Sequence, residues 1–425
     1  MAVDTLVEDD DNYYYVNENG AMVSNQWVAI ENEDAGEDDE PDHYWYYFQA
    51  NGKAYKRSDS ASDTSISAKT INGKKYAFDT DGRMLYGWVD AGERQTDDDA
   101  WKTCQYYFGD EDDGAMSEGW RLISITDDEA EDAQPGDEFW DEDQDRWFFF
   151  QASGKKKAAK DGESYTDKTI NGKKYGFDEF GRMVASWYTE ATAAVASQGT
   201  ATYSNTFMYF NNPEDGARYT KGWFKVVPGY YLQKSKYEDG SEYWYYADGD
   251  GQIYSNEIKT IKGQKYGFDP VGKMLHGLYK ITFDEDGRTI LEAEEIESES
   301  DLPDEDEDVS VYYFGDSPKE GAMKTGTATL DIDGEKHYYK FKSSGSDKGA
   351  GVDKIDDGSI YIKGKRVEAE EGSKYEDIEY KGEHYLISTS GKIMKSKKNI
   401  KDSDDTYYCT DSKGIITYKG SEKKD

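Results

Sequence analysis

Long apolar runs are missing from this sequence of 425 residues, and none approaches the roughly 18 residues that a membrane-spanning helix needs. No basic segment followed by an apolar stretch opens the chain, so Met1-Ala-Val-Asp4 reads as a boundary left where a signal peptide was removed. Cysteine occurs only at Cys104 and Cys409, without metal-ligand spacing near either, and both are expected to be free, half-buried thiols. Histidine is confined to His43, His276, His337 and His384, none spaced as a zinc site or a catalytic base. A Gly-rich phosphate loop, a nucleophile elbow and a Cys/His pairing are absent as well. Carboxylates are abundant enough for a paired-carboxylate hydrolase, but small hairpins offer shallow grooves, so the expectation is that the chain is not an enzyme. Positive charge is short too. With 51 Lys and Arg against 90 Asp and Glu the formal charge is −39, which excludes nucleic acid and anionic membrane surfaces as main partners.

Aromatic residues are what the chain has in excess. Only 36% of residues are apolar, yet 15% are aromatic, with 37 Tyr and 10 Trp, which separates this chain from a disordered acidic polymer. Many small aromatic cores in series fit these numbers. One phrase recurs three times: Lys69-Thr-Ile-Asn-Gly-Lys-Lys-Tyr76-Ala-Phe78-Asp, then Gly82-Arg-Met84, with further copies starting at Lys168 and Lys259. Near-identity at such separations is an internal repeat, and it governs the fold. A shorter frame, an aromatic-type start seven residues before a turn glycine, runs through the chain at Tyr13 to Gly20, Trp45 to Gly52, Trp147 to Gly154 and Trp244 to Gly251. Lys75, Lys174 and Lys265 start the same frame within the phrase, and looser versions with acidic turns begin near Gln105, Phe207 and Val311.

The expected fold is therefore all-β, a β-hairpin solenoid of about thirteen short hairpins arranged in triplets, with acidic loop insertions. An isolated hairpin is marginal in water, and stacking on neighbours buries its aromatic face. The domains expected are residues 1–90, 91–190 and 191–300, one triplet each and the third with an acidic linker, then degenerate repeats over 301–425 that form a cap. Acidic stretches at Glu31–Asp42, Asp127–Asp145 and Glu292–Asp308 read as solvated loops between hairpins. They are also the surfaces through which a protein partner would bind. No cofactor is expected beyond weak calcium at the alternating Asp304, Asp306 and Asp308. The one modest helix candidate is Glu190–Gln198.

A Trp follows the turn at a similar place in five units, at Trp27, Trp88, Trp120, Trp187 and Trp223, three of them as Gly-Trp. The next aromatic runs bring Trp45, Tyr106, Trp147, Tyr209 and Trp244. Neighbouring rings of this kind stack on a sugar face or cage a quaternary ammonium, or simply pack one hairpin on the next. Gly114-Ala-Met-x-x-Gly-Trp120 and the repeated phrase together resemble the cell-wall-binding repeat superfamily. That superfamily includes choline-binding modules of Gram-positive surface proteins, glucan-binding repeats of glucansucrases and carbohydrate-binding repeats of large clostridial toxins. The resemblance implies a hairpin solenoid on a secreted or cell-surface protein of a Gram-positive bacterium. It implies a non-catalytic module binding cell-wall teichoic acid or polysaccharide, or a host or dietary glycan; a structural spacer or protein-interaction surface is a further alternative. Sites of the choline-binding branch carry over as Trp27 with Trp45, Trp120 with Trp147 and Trp223 with Trp244, whereas Trp88 faces Gln105 and lacks a member. The family has only a few residues between paired aromatics, so the long run from Trp27 to Trp45 would cover the groove or build a face beside it. Lys at the head of the repeated phrase is nearer the glucan-binding and toxin branch. On this reading the phrase is a structural joint, and the ligand belongs to the more variable Trp residues.

Overall fold

A computed structural model describes residues 2–37, 40–61, 66–126, 144–189 and 206–425. The helix candidate Glu190–Gln198 and most of the Asp127–Asp145 stretch lie outside these residues. The described chain is all-β, built mainly from antiparallel pairs of short strands, with small helices at Ala100–Thr103 and Lys234–Glu238. It divides into two compact units, residues 1–190 with 208–220, and residues 191–207 with 221–425.

Each copy of the phrase folds into the same tight hairpin. Lys69–Ile71 pairs with Lys74–Tyr76 across Asn72-Gly73, whose φ values of 50° and 84° are those of a turn that matches the strand twist. Asn171-Gly172 repeats this at 49° and 82°, and Lys262-Gly263 at 48° and 84°. A second turn comes next, organised by the aspartate of Phe-Asp. Asp79 Oδ1 accepts the backbone N–H groups of Asp81 and Arg83 at 3.0 and 2.7 Å, and Asp178 and Asp269 do the same for their own turns. The turn returns the chain so that Phe78 bridges Met84, Phe177 bridges Met183 and Phe268 bridges Met274. All six of these side chains are buried.

The main ladders run on the other side of each aromatic run from the one the frame suggests. His43–Phe48 makes only a single bridge to the chain on its C-terminal side, Phe48 to Ala54, but a six-residue ladder with the preceding Gln26–Glu31. Gly119–Ile125 pairs in the same way with Gln144–Phe150, and Gly222–Val226 with Tyr243–Ala247. Glu31–Asp42 therefore connects the two strands of one hairpin rather than two hairpins. Glu292–Asp308 is not simply solvated loop either. Its first residues complete the strand Ile290–Glu295, where Ile290 is buried and Lys280 holds Glu294 at 2.8 Å.

A recurring backbone hydrogen bond joins successive hairpins. In the first unit the carbonyls of Tyr13, Trp45, Lys75, Gln105, Trp147 and Lys174 accept the N–H groups of Ala54, Met84, Met116, Lys156, Met183 and Arg218, at 2.7 to 2.8 Å. These acceptors are the first residues of the sequence frame, so the frame marks the stacking register. In the second unit Trp244 accepts from Met274 at 2.8 Å and Val311 from Gly351 at 2.7 Å. The Met of Gly-Ala-Met then lies on the turn glycine of the next hairpin: a β-carbon on Gly154 would fall 2.3 Å from Met116 Sδ. Among the described residues the first unit adds one three-stranded sheet around Gly87–Asp90, and the second unit has sheets of four strands around Gly277–Phe283 and five around Glu335–Phe341. Cys104 and Cys409 are free, as expected, but buried rather than half-buried. Burial pushes the Cys104 thiol up to about 11.

Candidate ligand-binding cages

Three aromatic corners of matching geometry recur. In the first, Trp27 stands 6.5 Å from Trp45 at 87° and 4.9 Å from Tyr76 at 65°, with Phe78 stacked behind it at 5.8 Å and 26°. In the second, Trp120 meets Trp147 at 6.2 Å and 89°, Tyr175 at 4.9 Å and 66°, and Phe177 at 5.7 Å and 27°. In the third, Trp223 meets Trp244 at 6.3 Å and 88°, Tyr266 at 4.8 Å and 65°, and Phe268 at 5.8 Å and 24°. The first two lie in one unit and the third in the other. The register explains the match. Trp27 sits opposite Tyr47, Trp120 opposite Phe149 and Trp223 opposite Tyr246, so Trp45, Trp147 and Trp244 fall at the same diagonal position each time. The six Trp side chains are all half-buried.

Tyr76, Tyr175 and Tyr266 are the members that sequence reasoning left out. They come from the repeated phrase, so the phrase is a wall of the corner as well as a joint. Their signal was the invariant Lys-Lys-Tyr or Gln-Lys-Tyr strand. The long insertion after Trp27 leaves the hairpin at Glu31 and returns at His43, whose ring stands 5.4 Å from Trp45.

Acidic turns border the corners. Asp112 Oδ1 accepts the Trp45 indole N–H at 3.3 Å and lies 3.2 Å from His43 Nε2. Asp113 holds Lys74 at 2.6 Å, and Asp215 holds Lys173 at 3.1 Å beside the second corner. Glu320 Oε1 accepts the Trp244 indole N–H at 3.2 Å. There Trp223, Trp244, Tyr266, Met274 and Glu320 line a pocket of about 300 Å³. Burial raises the phenol pKa of Tyr76, with Asp113 adding to it, and burial alone raises that of Tyr266.

Trp88 is different. Tyr107 stands 5.0 Å from it and Phe148 5.4 Å, but Gln105 occupies the place of the second Trp. Lys156, at the position that Met84 and Met183 hold elsewhere, puts its ammonium 5.1 Å over the Trp88 ring and 5.8 Å over Phe148. The same ammonium donates to the carbonyl of Trp101, a residue only 1% exposed on the helix Ala100–Thr103. Burial lowers the Lys156 pKa to about 8. Trp88 therefore faces a cation of its own chain rather than an open corner. Tyr106 packs against the cluster of Val89 and Phe108, away from Trp88's partner Tyr107. Trp187 and Tyr209 form a pair at 5.1 Å and 65°. All four histidines lie beside a carboxylate: His43 by Asp112, His276 by Asp316, His337 by Glu299 and His384 by Asp377.

Consecutive β-hairpins with a recurring perpendicular Trp pair closed by a Tyr make this an aromatic-hairpin repeat architecture. No family model matches the chain. Glucosyltransferase-S of Streptococcus mutans serotype c is 26% identical over 296 residues, covering 63% of this chain and 17% of that protein. The chain thus spans a small part of the curated relative it matches. Among solved structures, CbpJ from Streptococcus pneumoniae TIGR4 is similar at 18% identity and a TM-score of 0.43, over 82% of this chain and 92% of that one. Choline binding protein F from Streptococcus pneumoniae, solved in the presence of a peptidoglycan analogue, is similar at 20% identity and a TM-score of 0.40, over 82% and 98%.

Proposed function

We propose that this chain is a non-catalytic, extracellular wall-binding module whose three corners, Trp27–Trp45–Tyr76, Trp120–Trp147–Tyr175 and Trp223–Trp244–Tyr266, each take a quaternary ammonium group of a choline-bearing wall polymer. The chain is read as a hairpin solenoid of about thirteen units in triplets, exposed on or secreted from a Gram-positive cell, with its degenerate end as a cap. The observation that carries this reading is the threefold recurrence of one corner, with Trp–Tyr separations of 4.9, 4.9 and 4.8 Å. Perpendicular rings form a box, which suits a nearly spherical cation better than the flat face of a sugar. A carboxylate borders the first corner at Asp112 and the third at Glu320, where Lys262 and Lys319 also line the pocket. A ring contributes about 0.5–2 kcal/mol to holding a cation, so three rings support binding near the millimolar range.

A glucan is the second reading, favoured by the 26% identity to a glucosyltransferase and by the Lys-headed phrase. Titration of the full chain with choline chloride, tetramethylammonium chloride and dextran, in competition with purified choline-bearing wall, separates the two. Release of the chain by both ammonium salts but not by dextran is expected. Release by dextran alone overturns the choline reading in favour of the glucan.

A further inference from the structure

We propose that Glu299, Glu335 and His337 form a binding site for a transition-metal dication of the zinc class. The chain brings them together by two independent devices. Glu335 and His337 are two positions apart on the strand Glu335–Phe341 and so point to one face. Glu299 opens a short 3₁₀ turn, Glu299–Asp301, held by the reciprocal hydrogen bonds of Ser298 and Asp301. The Glu299 N–H also donates to Asp333 Oδ2 at 2.9 Å, which pins the turn to the Asp333-Gly334 hairpin bend just before Glu335. Among the described residues this is the group of His, Cys, Asp and Glu whose ligand atoms all lie within 4.8 Å of one another. The aspartates Asp304, Asp306 and Asp308, read from the sequence as a calcium site, form no such group.

His337 supplies the second observation. It is 9% exposed, and its Nε2 is buried without a hydrogen-bond partner, although Glu299 Oε1 lies 3.1 Å away. A nitrogen and an oxygen facing each other at that distance, out of hydrogen-bond geometry, are spaced like two ligands of one ion. Donors about 2.1 Å from a tetrahedral zinc stand roughly 3.4 Å apart. An imidazole with two carboxylates suits zinc and its first-row neighbours, whereas calcium takes oxygen ligands and more of them. Lys365 is the nearby counter-charge: its ammonium is stabilised by Glu299 and Glu335 against the burial that lowers its pKa. Metal would therefore enter by taking over that charge balance. Bound there, the ion staples the acidic run that precedes Ser310–Gly315 to the strand Glu335–Phe341.

The test is equilibrium dialysis of the full chain with zinc chloride in a large excess of calcium chloride, which saturates the many exposed carboxylates. One zinc per chain is expected, with at least tenfold weaker binding in both Glu299→Gln and Glu335→Gln, whose side chains are exposed and whose folding is not at risk. Cobalt(II) should give visible absorption that His337→Gln removes. Wild-type zinc affinity in both Gln variants, or complete displacement of zinc by calcium, overturns the site.

Discussion

Trp120 and Trp88 occupy the same strand position on hairpins of one unit, yet one faces an open corner and the other a filled one. Around Trp120 the neighbours are Trp147, Tyr175 and Met183. Around Trp88 the equivalent places hold Gln105, Phe148 and Lys156. A Gly-Trp motif thus places Trp88 and Trp120 alike on a paired strand, with different neighbours around each ring. On the proposed reading the side chain two residues past the turn glycine of the following hairpin decides, Met183 after Gly181 for Trp120 and Lys156 after Gly154 for Trp88, because a methionine thioether leaves the rings free and an ammonium occupies them. The protein has in effect run the cation-binding experiment on itself at Trp88.

Breaking the open corner should have the largest effect. Trp120→Ala is expected to remove one of three bound choline equivalents and to lower unfolding free energy by roughly 3 kcal/mol, read by dialysis and by denaturant titration. Met183→Lys should convert the open corner into the filled kind, losing the same equivalent while costing about 2 kcal/mol for burying a new charge without a carbonyl such as that of Trp101. The reverse change, Lys156→Met, should stabilise by about 1 kcal/mol at neutral pH, since relief from a buried charge is partly offset by the orphaned Trp101 carbonyl. Its pH dependence sharpens the point. The Lys156 pKa is lowered to about 8 in the fold, so wild-type stability should rise between pH 8 and 10.5 as the folded lysine sheds its proton first, and Lys156→Met should lack that rise. The smallest effect concerns the turn aspartates. Burial raises Asp79 to about 6, so the wild type should gain stability relative to Asp79→Asn as the pH falls from 7 to 5.

Much of this was legible in the residues. The all-β class and the Asn-Gly turns come from spacing and turn chemistry, whereas the pairing of Trp27 with Trp45, Trp120 with Trp147 and Trp223 with Trp244 came only with the family resemblance. Strand pairing was misread because the residues after each turn glycine lie near the aromatic run and looked like its second strand, whereas Met22 and Met116 each make one bridge and lie on the turn glycine of the next hairpin. Tyr76, Tyr175 and Tyr266 were missed as cage walls because contact between successive hairpins is not a sequence periodicity. The filling of the Trp88 corner could have been found: Gly154-Lys-Lys156 stands where Gly82-Arg-Met84 and Gly181-Arg-Met183 stand. The Glu299–His337 contact spans a turn whose geometry rests on its capping, which no motif announced.

An open corner is expected to bind a cation and a corner filled by lysine is not. Counting choline bound to the full chain at saturation tests it most directly, by equilibrium dialysis of the wild type beside Met183→Lys. Three equivalents falling to two is the predicted result; no binding by the wild type, or an unchanged count in Met183→Lys, would contradict it.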